Sequence, residues 1–253
     1  MGVDPIDLRA ATDLGIIVAN VPDYCVDEVA IQTVALLMAL IRKVTFFHQK
    51  VTSGEWDFRQ GRPIHRIRAK TMGLVGCGRI GTEVAKIVSS LGVKVLTFDP
   101  YIQKAEGGIE LVDLDTFLAK ADFISIHCPL NESTRHLIGK ETFQKMKRRP
   151  LLVNTSRGPI IDERALAEAL RAGLVSGAGI DVMEKEPPDP QHPLLKMENV
   201  IFSPHIAFYS EESMSELNRR TAEAVADVLQ GKRPRSVVNR EVLGKTRAKI
   251  AQS

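Results

Sequence analysis

The chain has 253 residues, 44% of them hydrophobic and 26% charged, which places it among folded globular proteins able to bury one large core or two smaller ones. Disordered and low-complexity classes are excluded. A formal net charge of +3 is too small for a protein whose work is neutralising phosphate backbones, so no nucleic-acid partner is expected.

The first long pattern, Val26, Val29, Ala30, Thr33, Val34, Leu37, Met38, Leu40, Ile41 and Val44, has the three-and-four spacing of an amphipathic helix running from about Asp27, with Asp23 or Asp27 as cap. After Phe46 and Phe47 the pattern lapses. Breakers at Ser53-Gly54 and Gly61-Arg62-Pro63, around the single Trp56, predict an exposed arm. From Thr71 onward short apolar runs alternate with helical patterns. Strands are expected over 72–75, 93–98, 123–126, 151–153, 179–182 and 200–202, and helices over 80–91, 114–120, 141–146, 162–172 and 211–229. Asp162 suits an N-cap, and Gly173 and Gly231 suit stops. The alternation specifies an α/β fold: a Rossmann-type, doubly wound parallel sheet with helices on both faces. The stretches before the first helix and after the last are each shorter than the roughly 30 residues of a strand-helix-strand unit, so only remnants of a second domain are expected.

Gly76-Cys77-Gly78-Arg79-Ile80-Gly81 follows a strand and opens a helix, the setting in which G-x-G-x-x-G means dinucleotide binding. Gly76 permits the turn, Gly78 lets a pyrophosphate approach the backbone, and Gly81 lets helix and strand close. The helix N-terminus adds N–H groups and partial positive charge, and Arg79 can add a charge-assisted contact. Asp99 ends the next strand at the register of a carboxylate that holds the adenosine ribose, and an acid there repels the extra phosphate of NADP. NAD is therefore the expected cofactor.

Three further segments end strands at the carboxyl edge, where open α/β sheets bind ligands. Asn154-Thr155-Ser156-Arg157-Gly158 offers a guanidinium suited to a substrate carboxylate; a surface arginine entering a turn is an equal reading of that segment alone. Asp181-Val182-Met183-Glu184-Lys185-Glu186 brings carboxylates, of which Glu184, with Lys185, reads as part of a solvated loop. Ser203-Pro204-His205 brings an imidazole. The other histidines, His48, His65, His127, His136 and His192, read as structural or exposed. Arg157, a carboxylate of the Glu186 loop and His205 would meet in one crevice. Together they supply what 2-hydroxy acid oxidation needs: a cation for the carboxylate, an imidazole for the hydroxyl proton and an anion to steady the imidazolium.

Cys25, Cys77 and Cys128 are far apart, without a Cys-x-x-Cys pair, which argues against disulfides and zinc; no metal site and a reducing, cytoplasmic setting are expected. Neither a leader-like opening nor a run of 18 apolar residues is present in this sequence, so no membrane association is expected.

These motifs make the chain resemble the NAD-dependent D-isomer-specific 2-hydroxyacid dehydrogenases along nearly its whole length. Within the family it is most similar to C-terminal binding proteins and bacterial phosphoglycerate dehydrogenase-like members, on Gln60 to Arg66 and His205 to Ser210. The resemblance implies that Arg157 binds the substrate carboxylate and carbonyl, that His205 is the acid/base and that Glu186 is its partner. It further implies cofactor contacts at Arg79, Ile80, Asp99, Cys128, Pro129, Leu130, Thr134, Thr155, Ser156, Asp181 and Ala207. Ile31-Gln32 is apolar and neutral where many relatives carry acidic and histidine residues, so no contact is transferred there. Relatives also carry on the order of 70 residues of a substrate-domain sheet ahead of the segment matching Val3 to Asp7. The expected division is thus 1–22 as a substrate-domain remnant, 23–229 as the NAD-binding domain with interdomain helices and a dimerisation arm, and 230–253 as a return segment or tail. NADH binding and substrate turnover are expected to separate in such a chain, which is expected to bind NADH but to reduce small 2-keto acids very poorly.

The expected function is interconversion of a small D-2-hydroxy acid and its 2-keto acid. The alternative is a non-catalytic NAD(H)-binding interaction protein of the corepressor type. A nucleic-acid tail of Lys232, Arg233, Arg235, Arg240, Lys245, Arg247 and Lys249 is a weak third reading, since the tail lacks interleaved aromatics. A homodimer is expected through the first helix and the arm, anchored by Trp56 and Phe58.

Overall fold

The computed structural model describes residues 2–246, which fall into two compact units: residues 26–207, and the segments before and after them. The larger unit is built on a wholly parallel sheet of β1 (Thr71–Val75), β2 (Lys94–Phe98), β3 (Glu110–Leu111), β4 (Phe123–Ile126), β5 (Leu151–Asn154), β6 (Gly177–Ile180) and β7 (Val200–Phe202). Their order is β3-β2-β1-β4-β5-β6-β7. The chain leaves β1 in one direction and returns to its other side at β4, so the switch point of this Rossmann-type sheet lies between β1 and β4.

The central strands are buried on both faces, which explains why they read as continuous apolar runs. On one face α2 (Val26–Arg42) and α4 (Arg79–Ser90) close over Met72, Leu74 and Val153 with Leu37, Val84 and Val88. On the other, α5 (Leu114–Lys120), α6 (Lys140–Lys145) and α7 (Glu163–Arg171) bring Phe117, Leu118, Phe143 and Leu166 onto Ile124, Ile126 and Leu152. The fit is close: a Cβ on Gly73 would lie 2.7 Å from the Phe117 ring. Asp162 caps α7 by accepting from the Ala165 N–H at 3.0 Å, and Gly173 follows with φ 67°.

Several elements differ from the sequence reading. The first helix does not lapse after Phe47. It breaks at Lys43, in left-handed backbone with φ 52°, and resumes as α3 (Val44–Thr52). β3 is too short to show a period. β6 begins at Gly177 instead of 179, because Gly177-Ala178-Gly179 carries no side-chain pattern. Its glycines are instead a packing feature, since a Cβ on Gly179 would meet the Leu36 Cβ at 3.0 Å and one on Gly177 would meet Leu40 Cδ2 at 3.5 Å, so both give α2 room against the sheet.

The smaller unit joins both ends of the chain. α1 (Leu8–Asp13) is capped by Asp7 and α8 (Glu211–Leu229) by Ser210. Buried Asn239 accepts from the Val18 N–H and donates to Thr12 Oγ1 and the Ile16 carbonyl, and Arg220 pairs with Asp23 at 2.6 Å. α8 therefore groups with the N-terminal segment and not with the sheet, unlike the expected 23–229 division. Lys232, Arg233, Arg235, Arg240 and Lys245 are exposed; Arg247 and Lys249 lie outside the described residues.

Candidate active site

Five strands end in one register row, Val75, Ile126, Asn154, Ile180 and Phe202, and Phe98 is paired with Val75. The residues just beyond that row therefore line a single edge: Gly76, Asp99, Cys128, Thr155 to Arg157, Asp181 and Ser203 to His205.

At the switch point Gly76 has φ 92°, a left-handed backbone that only glycine adopts without cost. A Cβ there would also lie 3.0 Å from the Cys128 nitrogen, so the glycine turn sits directly on the Cys128 turn. Gly81 is constrained by packing, its hypothetical Cβ falling 2.6 Å from the Gly76 carbonyl oxygen. Gly78 faces open space, with nothing within 4 Å, and caps α4 without a side-chain hydrogen bond. The first N–H groups of α4 thus face an uncrowded surface, as an approaching pyrophosphate requires. Asp99 accepts from the Cys77 N–H at 2.9 Å and the Tyr101 N–H at 3.0 Å, which fixes the carboxylate against the glycine turn and leaves lone pairs for ribose hydroxyls. These residues fit a dinucleotide. His127 lies beneath the turn, bonded to Ser125 at 2.9 Å; burial pushes its pKa down to about 4, so the ring is neutral. Burial pushes the Cys128 thiol up to about 11, which keeps it protonated.

Farther along the edge the loops interlock. The Ser156 hydroxyl donates to the Cys128 carbonyl at 2.6 Å, tying the β5 turn to the β4 turn. Fully buried Asn154 brackets the Arg157 turn, accepting from the Ser156 N–H at 3.0 Å and donating to the Arg157 carbonyl at 2.9 Å. A Cβ on Gly158 would fall 1.9 Å from the Met183 carbonyl carbon, so the β5 and β6 loops touch backbone to backbone. Glu186 accepts from the Met183 N–H with Oε1 at 2.9 Å and meets His205 Nδ1 with Oε2 at 2.7 Å. The His205 backbone is left-handed, φ 53°, and its N–H donates to the Asp181 carbonyl at 2.7 Å.

Thr155, Ser156, Asp181 and Ala207 all lie on this edge, and Thr134 folds its own turn by donating to the Pro129 carbonyl at 2.7 Å. Pro129 and Leu130 belong to that same turn, and Ile80 is half-buried in the first turn of α4. Asp181, 3% exposed, accepts from the Ser203 hydroxyl at 2.5 Å and from the Ile206 and Ala207 N–H groups at 3.0 and 3.1 Å.

Sequence reasoning missed two clusters. Glu184 is not simply solvated: its Oε1 accepts from the Glu163 N–H at 3.2 Å while Glu163 Oε1 accepts from the Glu184 N–H at 2.7 Å. His136 pairs with Glu184 at 3.3 Å and His192 with Glu163 at 3.2 Å. Burial raises the pKa of Glu163 above the ordinary carboxylate value. The pair anchors the loop that carries Glu186 to the start of α7. The second cluster, Gln32 and Thr33 on α2, reaches the edge from behind. Among the described residues no His, Cys, Asp and Glu cluster could hold a metal ion, and no single helix is long and apolar enough to cross a membrane.

A parallel sheet with a glycine turn and carboxylate at its switch point, and a His–Glu pair farther along the same edge, defines a dinucleotide-binding protein with a candidate proton-transfer site. The chain belongs to the D-isomer specific 2-hydroxyacid dehydrogenases, whose NAD binding domain model matches residues 34–207. It is 42% identical to a D-3-phosphoglycerate dehydrogenase of Archaeoglobus fulgidus, covering 94% of this chain and 46% of that protein. It is 41% identical to a glyoxylate reductase of Thermofilum pendens, covering 96% of this chain and 74% of that protein. Among solved structures it resembles a D-lactate dehydrogenase with NAD+ from Lactobacillus jensenii, with a TM-score of 0.82 and 33% identity over 94% of this chain and 76% of that one.

Proposed function

We propose that the protein is an NAD-dependent oxidoreductase that interconverts a small D-2-hydroxy acid and its 2-keto acid. The observation that carries this reading is the 2.7 Å contact between His205 Nδ1 and Glu186 Oε2, on the sheet edge that also holds the glycine turn. With Nδ1 engaged by the carboxylate, Nε2 is the ring nitrogen that serves the substrate, and Glu186 balances the charge when the ring is protonated. In reduction His205 delivers a proton to the keto oxygen; in oxidation it removes the hydroxyl proton. Arg157 grips the substrate carboxylate with parallel hydrogen bonds and polarises the adjoining carbonyl. Held by the glycine turn and Asp99, NAD would supply the hydride chemistry at substrate C2. Asp99 favours NAD over NADP, since Pro100 and Tyr101 follow it and no arginine directly after it neutralises an added phosphate. A corepressor-type interaction protein has no need of the His205–Glu186 pair, and the dehydrogenase and reductase relatives favour the enzyme.

Three finer readings accompany this one. The protein forms a homodimer through the arm, where Trp56 is 89% and Phe58 71% exposed, far above what a lone soluble chain gains from such side chains. Cys25, Cys77 and Cys128 form no disulfide, which suits a cytoplasmic protein. Segment 1–22 is a remnant of the family's substrate domain, and 230–253 is a return segment or tail. The test of the main reading is NADH oxidation by the full chain with a panel of small 2-keto acids. Slow but measurable turnover by the parent, lost in His205→Ala, is the expected result; equal rates in both would remove His205 from the chemistry.

A further inference from the structure

We propose that Gln32 and Thr33, consecutive residues of α2, are positioning residues for the reaction, Gln32 holding the His205 turn and Thr33 holding the Arg157 turn. The inference rests on the roles given above to His205 and Arg157. Strand-end loops open more readily than the sheet that bears them, whereas catalytic groups tolerate little displacement. A left-handed histidine at φ 53° persists only when its surroundings over-determine it.

The polarity of the contacts shows how that is achieved. Gln32 Nε2 donates to Ser203 Oγ at 3.1 Å, and Ser203 Oγ donates to Asp181 Oδ1 at 2.5 Å. The serine has one hydroxyl proton, which goes to the carboxylate, so its oxygen must accept from the helix; an amide can donate only through nitrogen. Asp181 in turn gathers the N–H groups of Ile206 and Ala207 on its carboxylate and that of His205 on its carbonyl. One residue on, Thr33 Oγ1 donates to the Val29 carbonyl at 2.7 Å and shares a 2.7 Å contact with Thr155 Oγ1, so Thr155 is the donor there. Thr155 is two residues before Arg157, in a turn whose other side Asn154 holds. Gly179, by admitting Leu36 to van der Waals contact, brings α2 near enough for both bonds.

Gln32→Met and Thr33→Val keep side-chain volume and remove the hydrogen bond, and Ser203→Ala breaks the first chain at its middle. Amide hydrogen exchange on the full chain is the first readout, because it does not depend on turnover. Exchange at Ile206 and Ala207 should quicken about five- to tenfold in Gln32→Met and Ser203→Ala, the equivalent of one lost hydrogen bond, with β5 and β6 unchanged. Unchanged exchange at those two amides in both variants overturns the proposal, whether or not the parent turns over a keto acid. Kinetics give the second readout. Gln32→Met should lower kcat with little change in KM, Thr33→Val should mainly raise KM, and Thr33→Ser should restore the parent value. A uniform loss of active protein in both variants, with the kcat-to-KM pattern of the parent, would reduce them to ordinary packing residues. A parent that binds NADH but reduces no keto acid, with the exchange result as expected, would count against the enzymatic reading and leave the positioning geometry standing.

Discussion

Gly158→Ala isolates the contact that sets the spacing between the Arg157 and Glu186 loops. The added Cβ would lie 1.9 Å from the Met183 carbonyl carbon, 2.1 Å from its oxygen and 2.3 Å from the Glu184 nitrogen, where ordinary contact begins at 3.4 Å. All three are backbone atoms, so no side chain can rotate away, and the β6 loop must retreat by about 1.5 Å or the β5 turn must deform. Overpacking of this kind costs about 3 kcal/mol, the upper part of its usual range. For a chain of this length that lowers the unfolding temperature by roughly 6–12 °C. The displaced atoms carry the bonds that place Glu186: the Met183 N–H holds Oε1, and the Glu184 N–H is held by Glu163. A shift near 1 Å at the proton-transfer pair costs about a hundredfold in kcat. NADH affinity should change little, because the glycine turn lies at β1. Calorimetry, NADH fluorescence titration and steady-state rates on one preparation make the assay. A Gly158→Ala protein with the parent's unfolding temperature and kcat would refute the packing on which this reasoning depends.

Gly78→Ala should leave stability unchanged, since its Cβ meets nothing within 4 Å, yet weaken NADH binding about tenfold or more; Gly81→Ala should instead destabilise, its Cβ being 2.6 Å from a carbonyl oxygen, and thermal melts beside NADH titrations separate the two. His205→Ala should lower kcat mainly, whereas Arg157→Ala should also raise KM because it removes ground-state binding; steady-state kinetics at saturating NADH would expose either substitution as harmless. His127 has a folded pKa of about 4 against an ordinary 6.5, so below pH 6.5 the unfolded chain binds a proton that the folded one refuses. Its contribution to stability is complete above pH 6.5 and is lost as the pH falls toward 4, and melts across that window should be less pH-dependent in His127→Asn. Sedimentation at micromolar concentration should show a dimer with Trp56 shielded from acrylamide; a monomer with Trp56 fully quenched would refute the arm interface.

What was legible in the sequence were features written in local periodicity or in glycine. The apolar runs located the central strands because both faces of those strands are buried. Gly76, Gly78 and Gly81 located the switch point because, within six residues, Gly76 takes a left-handed turn, Gly81 a close backbone approach, and Gly78 leaves the start of α4 open. Glu186 and His205, which meet at 2.7 Å, could be expected together because parallel strands must end on one edge. The residues that hold these strand-end turns could not. Glu163 meets Glu184 across 21 residues, Thr33 meets Thr155 across 122 and Gln32 meets Ser203 across 171, and none of these pairings leaves a periodic trace. Gln32 shows the limit most clearly, since its departure from the family pattern gave no contact to transfer, yet the residue found a partner in the His205 turn. α8 has a legible helical pattern, but which unit it joins depends on contacts with the opposite end of the chain.

The central claim is that this sheet edge brings a nicotinamide and a 2-keto acid together for direct hydride transfer, with His205 handling the proton. The most direct test uses NADH deuterated at the transferable C4 position, incubated with the full chain and small 2-keto acids, with mass analysis of the hydroxy acid formed. The account predicts one deuterium at C2 of the product with the parent protein and none above background with His205→Ala. NADH bound as expected, with the label retained on the cofactor for every acid tried, would contradict it.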